Sequence, residues 1–207
     1  TQYCNQLKNQ VRQNKRAIKV KPEGDGASDE TALQRAGIIR GIEYKSKADA
    51  IYDTAGEYAV RGGFGFARVD HDYIDDTTDK QELRLKRVQN PENVYLDPSY
   101  VECDGSDAEH GFVIIPLTKE EFEVRFKGKE LVSFSDAPTE KDAKDIHICE
   151  FYIKEYTEST VGKRTIKKPT VKKYLMSGSE VLKETVFPGK YIPIVPFLGE
   201  EVWVEGK

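Results

Sequence analysis

At Gly62-Gly63 the spacing of apolar residues changes from a period near 3.6 to a period of 2, and that switch limits what the chain can fold into. Before the glycines, Ala48, Ile51, Tyr52, Ala55, Tyr58 and Ala59 fall within about 120° of a helical wheel. A helix is therefore predicted from about Lys47 to Arg61, with Ile51, Tyr52, Ala55 and Tyr58 facing inward and Ser46 as its cap. Gly62 and Gly63 supply the permissive backbone that ends it. An earlier helix is predicted from about Asp29 to Lys45, capped by Ser28 or Asp29. Its apolar residues, Ala32, Leu33, Ala36, Ile38, Ile39 and Ile42, cover so broad an arc that burial on more than one side is expected.

After the glycines, alternation marks strands at Phe64–Tyr73, Glu82–Val88, Val94–Leu96 and Phe112–Ile115. Thr118 and Glu121 form a capping box for a short helix ending near Phe126. The polar stretch from Gly128 to Asp145 reads as a loop. Ile146–Tyr156 alternates with apolar residues on both faces, and Arg164–Met176 and Glu180–Phe187 flank Ser177-Gly178-Ser179 as a hairpin. Two prolines suit Tyr191–Phe197 to an edge position. Helices first and strands later describe an α+β fold, a helical pair packed with a mainly antiparallel, strand-rich portion. Three parts are expected: a basic N-terminal segment over 1–26, the helical pair with the first strands over 27–127, and further strands over 128–207. In the first part a short helix should precede an alternating stretch, Ala17-Ile18-Lys19-Val20-Lys21, closed by Pro22.

The 207 residues include 32 basic and 36 acidic side chains, a net charge of −4 that argues against a nonspecific polyanion binder. No apolar run approaches the roughly 20 residues of a membrane-spanning helix, and no membrane partner is expected. Cys4, Cys103 and Cys149 lie far apart and are read as reduced thiols. The chain starts at Thr1 and stops just after a strand-like Val202-Trp203-Val204, so it reads as a piece of something longer.

No arrangement predicts catalysis. Arg61-Gly62-Gly63-Phe64-Gly65-Phe66 is glycine-rich, but it follows a helix and precedes a strand, the reverse of a phosphate loop, so no nucleotide cofactor is expected. Cys103, His110, His147 and Cys149 lack a tight cysteine pair, and the H-x-C spacing is expected to put His147 and Cys149 on opposite faces of a strand; no zinc is expected. Asp104-Gly105-Ser106-Asp107 lacks the rest of a calcium loop and reads as solvated. The other carboxylates, at Asp70, Asp72, Asp75, Asp76, Asp79, Asp97, Glu102 and Glu109, show no spacing diagnostic of glycoside hydrolysis. No nucleophile elbow accompanies the histidines His71, His110 and His147, so neither a serine or cysteine hydrolase nor a metal-dependent one is favoured.

One charge run stands out. Lys163, Arg164, Lys167, Lys168, Lys172 and Lys173 bring six positive charges with no acid among them, while Lys8, Arg12, Lys15, Arg16, Lys19 and Lys21 do the same near the N-terminus. Such runs are solvated faces, contacts for an acidic neighbouring subunit, or phosphate contacts that read no bases. A nucleic-acid-binding module is the alternative they leave open.

Long ordered blocks carry a resemblance to a known family: Lys19 to Asp76 around the helical pair, Arg87 to Ser99 (RVQNPENVYLDPS), Asp104 to Phe122 (DGSDAEHGFVIIPLTKEEF) and Phe187 to Lys207 (FPGKYIPIVPFLGEEVWVEGK). In them the chain resembles the portal protein of P22-like short-tailed bacteriophages. The resemblance implies a structural subunit of a ring, usually of twelve copies, at one capsid vertex in the virion, assembled in the host cytoplasm. It implies neighbouring portal subunits, capsid, terminase and tail factors as partners, and genomic DNA passing through the ring without direct contact from this part. The chain would be most of the outer wing, without the channel-lining stem, the clip or the crown. It implies no catalytic residue and no cofactor.

Overall fold

The computed structural model describes residues 2–14, 18–24, 26–75, 77–129, 145–161 and 164–199, apart from the side chains of 145, 159–161 and 164–166. The predicted loop interior at 130–144, the strand-like 202–204 and Lys163 lie outside the described residues. The fold is α+β, with helices first and antiparallel sheets after. It divides into two compact units, residues 1–91 with 194–207, and residues 92–193. These limits differ from the sequence boundaries at 26/27 and 127/128, because a late strand returns to pair with an early one.

In the first unit, α1 (Gln2–Gln13), α2 (Asp29–Ser46) and α3 (Ala48–Gly62) accompany a three-stranded sheet of order β2 (Gln81–Arg87), β1 (Phe64–Tyr73), β8 (Ile194–Leu198). Ser28 caps α2, its Oγ accepting from the Thr31 amide at 3.2 Å. Ser46 does not cap α3. Its Oγ instead accepts from the Leu85 amide of β2 at 2.9 Å, and the break between the helices is made by Lys47, at φ 53° the sole left-handed non-glycine among the described residues. Gly63, at φ 89°, closes α3 by donating its amide to the Ala59 carbonyl.

The expectation that α2 is buried on more than one side is overturned: Ala32 and Ala36 are buried, but Leu33 is 68% and Ile38 63% exposed. Helical periodicity shows where apolar side chains point, not whether anything lies opposite them, and among the described residues α2 packs on one side only. The stretch Ile18–Lys21 joins no sheet, although it alternates. Helix α1 buries none of its residues and is held to α3 by charge: Lys8 pairs with Glu57, and Arg12 Nε donates to Asp53 Oδ2 at 2.7 Å.

Helix α3 and β1 approach so closely that a Cβ at Gly65 would collide with the Ala55 carbonyl oxygen. Gly65→Ala should therefore force the helix off the strand and cost about 2 kcal/mol, the range for overpacking a tight contact. Denaturant unfolding read by circular dichroism measures this. An unchanged midpoint would show that the helix shifts freely. Strand β8 pairs antiparallel on the other edge of β1, Phe64↔Leu198 through Arg68↔Ile194. Pro196 is tolerated there because an edge strand has one side free of ladder bonds.

The second unit is a five-stranded antiparallel sheet of order β3 (Val94–Leu96), β4 (His110–Thr118), β5 (Asp145–Val161), β6 (Arg164–Ser177), β7 (Glu180–Phe187). Helix α4 (Lys119–Arg125) carries the predicted capping box, with Thr118 and Glu121 bonded reciprocally. Phe122 of α4 covers Leu117, Ile146 and Ile148 on one sheet face. Further along that face Tyr152, Val171, Phe187 and Ile192 are buried, Tyr152 and Phe187 meeting edge to face at 6.1 Å. Within this unit, no helix among the described residues lies over the opposite face.

Candidate functional site

Strand β6 carries most of the basic run, and its register decides what each charge meets. Lys173 and Lys167 share one sheet face; Lys172 and Lys168 share the other, since positions two, four or six apart along a strand point the same way. Lys173 lies 3.2 Å from Glu150 of β5, in a pair whose side chains are only 15% and 12% exposed, and its ammonium also sits 5.6 Å from the Tyr152 ring centroid. Lys172 reaches Glu155 of β5 at 3.1 Å and Glu184 of β7 at 3.2 Å. Hydrogen bonds to these two carboxylates hold its ammonium well above the ordinary lysine range. Lys167 meets Glu158 directly across the ladder at 3.3 Å, both side chains exposed. Lys168 is exposed and makes no ion pair among the described residues. The Arg164 side chain and all of Lys163 lie outside the described residues.

Of the four lysines of the run that are described, three are thus matched by carboxylates from β5 and β7 that a linear reading cannot place opposite them. Phosphates approaching it would compete with Glu150, Glu155, Glu158 and Glu184, all within salt-bridge distance.

The acidic loop between β3 and β4 is held by its own carboxylates. Asp97, buried, accepts from the Ser99 amide and hydroxyl at 2.9 and 2.6 Å and from the Glu109 amide at 3.0 Å. These bonds hold its carboxyl well below the usual range, at about 2. Asp107 accepts from the Val101 and Glu102 amides, and Asp104 from the Ser106 amide. The loop residues Asp104 and Asp107 thus serve backbone turns, and among the described residues no three His, Cys, Asp or Glu side chains gather as metal ligands would. Cys103 is exposed in this loop.

His147 and Cys149 need a correction. Two residues apart on one strand, they share a face rather than opposing each other. Together with Phe112, Ile114, Phe151 and Met176 they line a shallow, mainly apolar groove of about 610 Å³ on the uncovered face. Burial pushes the Cys149 thiol up to about 11, so it is not a poised nucleophile. The sequence signal for this groove was available, because β5 alternates with apolar residues on both of its faces.

The residues named for structural roles fall as follows. Ile51 and Ala55 are buried; Tyr58 is half-buried, its hydroxyl donating to the Gln89 carbonyl at 2.6 Å. Tyr52 is 36% exposed, lies 6.3 Å from the Phe197 ring and donates to Glu43 Oε1 at 3.1 Å. Burial, then that bond, pushes its phenol to about 12. Gly62 is the last residue of α3 and Gly63 its left-handed stop.

The model of the phage P22-like portal protein family matches residues 1–207. The chain belongs to the P22-like portal protein family. The portal protein of Acyrthosiphon pisum secondary endosymbiont phage 1 is 22% identical over 245 residues, covering 97% of this chain and 34% of that protein. This portal-family chain therefore spans about a third of that relative's length. The helical pair and antiparallel sheets are consistent with a portal wing-like domain, and the matched charges on β6 belong to its sheet.

Proposed function

We propose that this chain is the outer, wing part of a subunit that assembles, in the full-length protein, into the ring-shaped portal of a phage capsid. The ring forms the channel for DNA packaging and ejection in the virion and docks terminase, capsid and tail factors, after assembly in the host cytoplasm. Genomic DNA passes through the parent channel without direct contact from this segment. The observation that carries the proposal is the family match over the whole chain. The ion pairs of β6 support a structural role over the nucleic-acid-binding alternative, because a phosphate-tracking strand keeps its lysines unpaired and available for counterion release.

Sedimentation of the full-length parent and of this segment tests it. The parent should run as a closed ring, and the segment, lacking the parent's other subunit contacts, as a monomer or weak oligomer at micromolar concentration. Filter binding of duplex DNA to the segment should stay near background across a salt series. A monomeric parent overturns the ring, and tight DNA binding by the segment that weakens steeply with salt favours the alternative.

A further inference from the structure

Beyond their neighbours, β5 and β6 continue as a two-stranded ribbon. Strand β4 pairs with β5 only as far as His110↔Ile153, and β7 pairs with β6 only as far as Val171↔Phe187. The β5–β6 ladder runs on for seven rungs, Glu155↔Thr170 to Val161↔Arg164, a projection of about 23 Å at about 3.3 Å per residue. Two strands alone are marginally stable in water. Of the side chains described on this ribbon, Glu155, Thr157, Glu158, Lys167 and Lys168 are exposed and polar, while Tyr156, 49% exposed, faces Pro169 across the ladder. Pro169 withdraws one amide donor from β6, which discourages open-ended strand addition and leaves side chains to make any contact.

The same unit holds a surface of opposite character. Residues 97–109 contain Asp97, Glu102, Asp104, Asp107 and Glu109 and no lysine or arginine. This loop is ordered from within and fastened to the base of the ribbon, where Lys154 Nζ donates to the Ser106 carbonyl at 3.0 Å and Tyr156 donates to Glu109 Oε1 at 2.6 Å. A heterologous ring contact requires two different, complementary surfaces on every copy; residues 163–168 carry Lys163, Arg164, Lys167 and Lys168 and no acid, although Lys167 also meets Glu158 of its own ribbon, and with the acidic loop they form such a pair.

We propose that the β5–β6 ribbon is an intersubunit arm, with Lys167 and Lys168 set against the 97–109 loop of the next copy. The proposal rests on the ring reading above and adds the surfaces that meet. Lys172 and Lys173, committed to Glu155, Glu184 and Glu150, stay inside their own sheet and hold the arm's root.

Exposed Cys103 provides the test, since it sits in the acidic loop. Two full-length chains, with their other accessible cysteines changed to Ser, are co-assembled: one carries Lys168→Cys and Cys103→Ser, the other keeps Cys103. Only a contact between copies can then be bridged by a short bis-maleimide. A crosslinked dimer at least ten-fold above a control carrying Val124→Cys on exposed α4 is expected. Normal rings with crosslinking at the control level overturn the arm and leave the ring reading standing, whereas a parent that never forms rings overturns that reading instead. If Lys168→Cys itself disturbs assembly, Lys167→Glu with Lys168→Glu gives an independent measure. Ring yield falling ten-fold at low salt and recovering with Glu102→Lys supports the contact, and an unchanged yield overturns it.

Discussion

Ile51→Asp should abolish the folded state of the first unit. Ile51 is 5% exposed, on the face of α3 that also buries Ala55 and Ala59 against β1. A carboxylate placed there is taken out of water, and burying it unpaired costs several kcal/mol, or forces its protonation at a similar cost. The whole stability of a domain is about 5 to 15 kcal/mol, and one this small falls toward the lower end. Ile51→Val, which removes one methylene, should cost only about 1 kcal/mol and serves as the size control. Thermal unfolding followed by circular dichroism, with hydrogen exchange of the β1 amides, separates the two. A melting curve for Ile51→Asp that overlays the unmodified chain would mean α3 does not pack on the sheet through this face.

The contrast between those variants was legible in the sequence because it depends on local periodicity. The limits of β1, β3 and β7, the end of α3 at Gly62, and the Thr118–Glu121 box all follow from patterns shorter than about a dozen residues. What periodicity cannot supply is a partner. Leu33 and Ile38 occupy helical positions suited to burial, yet stay exposed because none of the described residues lies over them. The lysine run on β6 was visible as a run, but its chemistry changed once β5 and β7 put Glu150, Glu155 and Glu184 beside it, a result of register between residues 12 to 23 apart in sequence. The extent of the first unit had the same cause, since the pairing of β8 with β1 brings residues 194–198 back to it. Local geometry was misread at three places: His147 and Cys149, whose spacing of two already fixed them on a common face; Ser46, which bonds β2 instead of capping α3; and Tyr52, expected inward but 36% exposed.

Asp97→Ala should be the most damaging single change in the second unit outside its apolar core. The Asp97-Pro98-Ser99 sequence announces a turn in which the carboxylate accepts from the amide two residues on, and the 2.9 Å bond to Ser99 is that turn. The longer reach, to the Glu109 amide, closes the whole loop over twelve residues and sets the entry to β4. Alanine would remove the charged acceptor of two part-buried amide bonds, from Ser99 and Glu109; at about 1.5 to 3 kcal/mol for a hydrogen bond to a charged group, a loss of about 3 kcal/mol is expected. Because the folded-state carboxyl, at about 2, lies below its ordinary value near 3.8, its contribution is fully present above pH 4 and is lost as pH falls from about 4 toward 2. The unmodified chain should therefore lose stability across that window more steeply than Asp97→Asn, which cannot titrate and keeps one acceptor oxygen. Denaturant midpoints at pH 5, 4, 3 and 2.5, with hydrogen exchange at Ser99 and Glu109, check both claims. Parallel pH profiles for the two chains would assign the acid sensitivity to other carboxylates, and full protection of the Glu109 amide in Asp97→Ala would show that the loop closes without this residue.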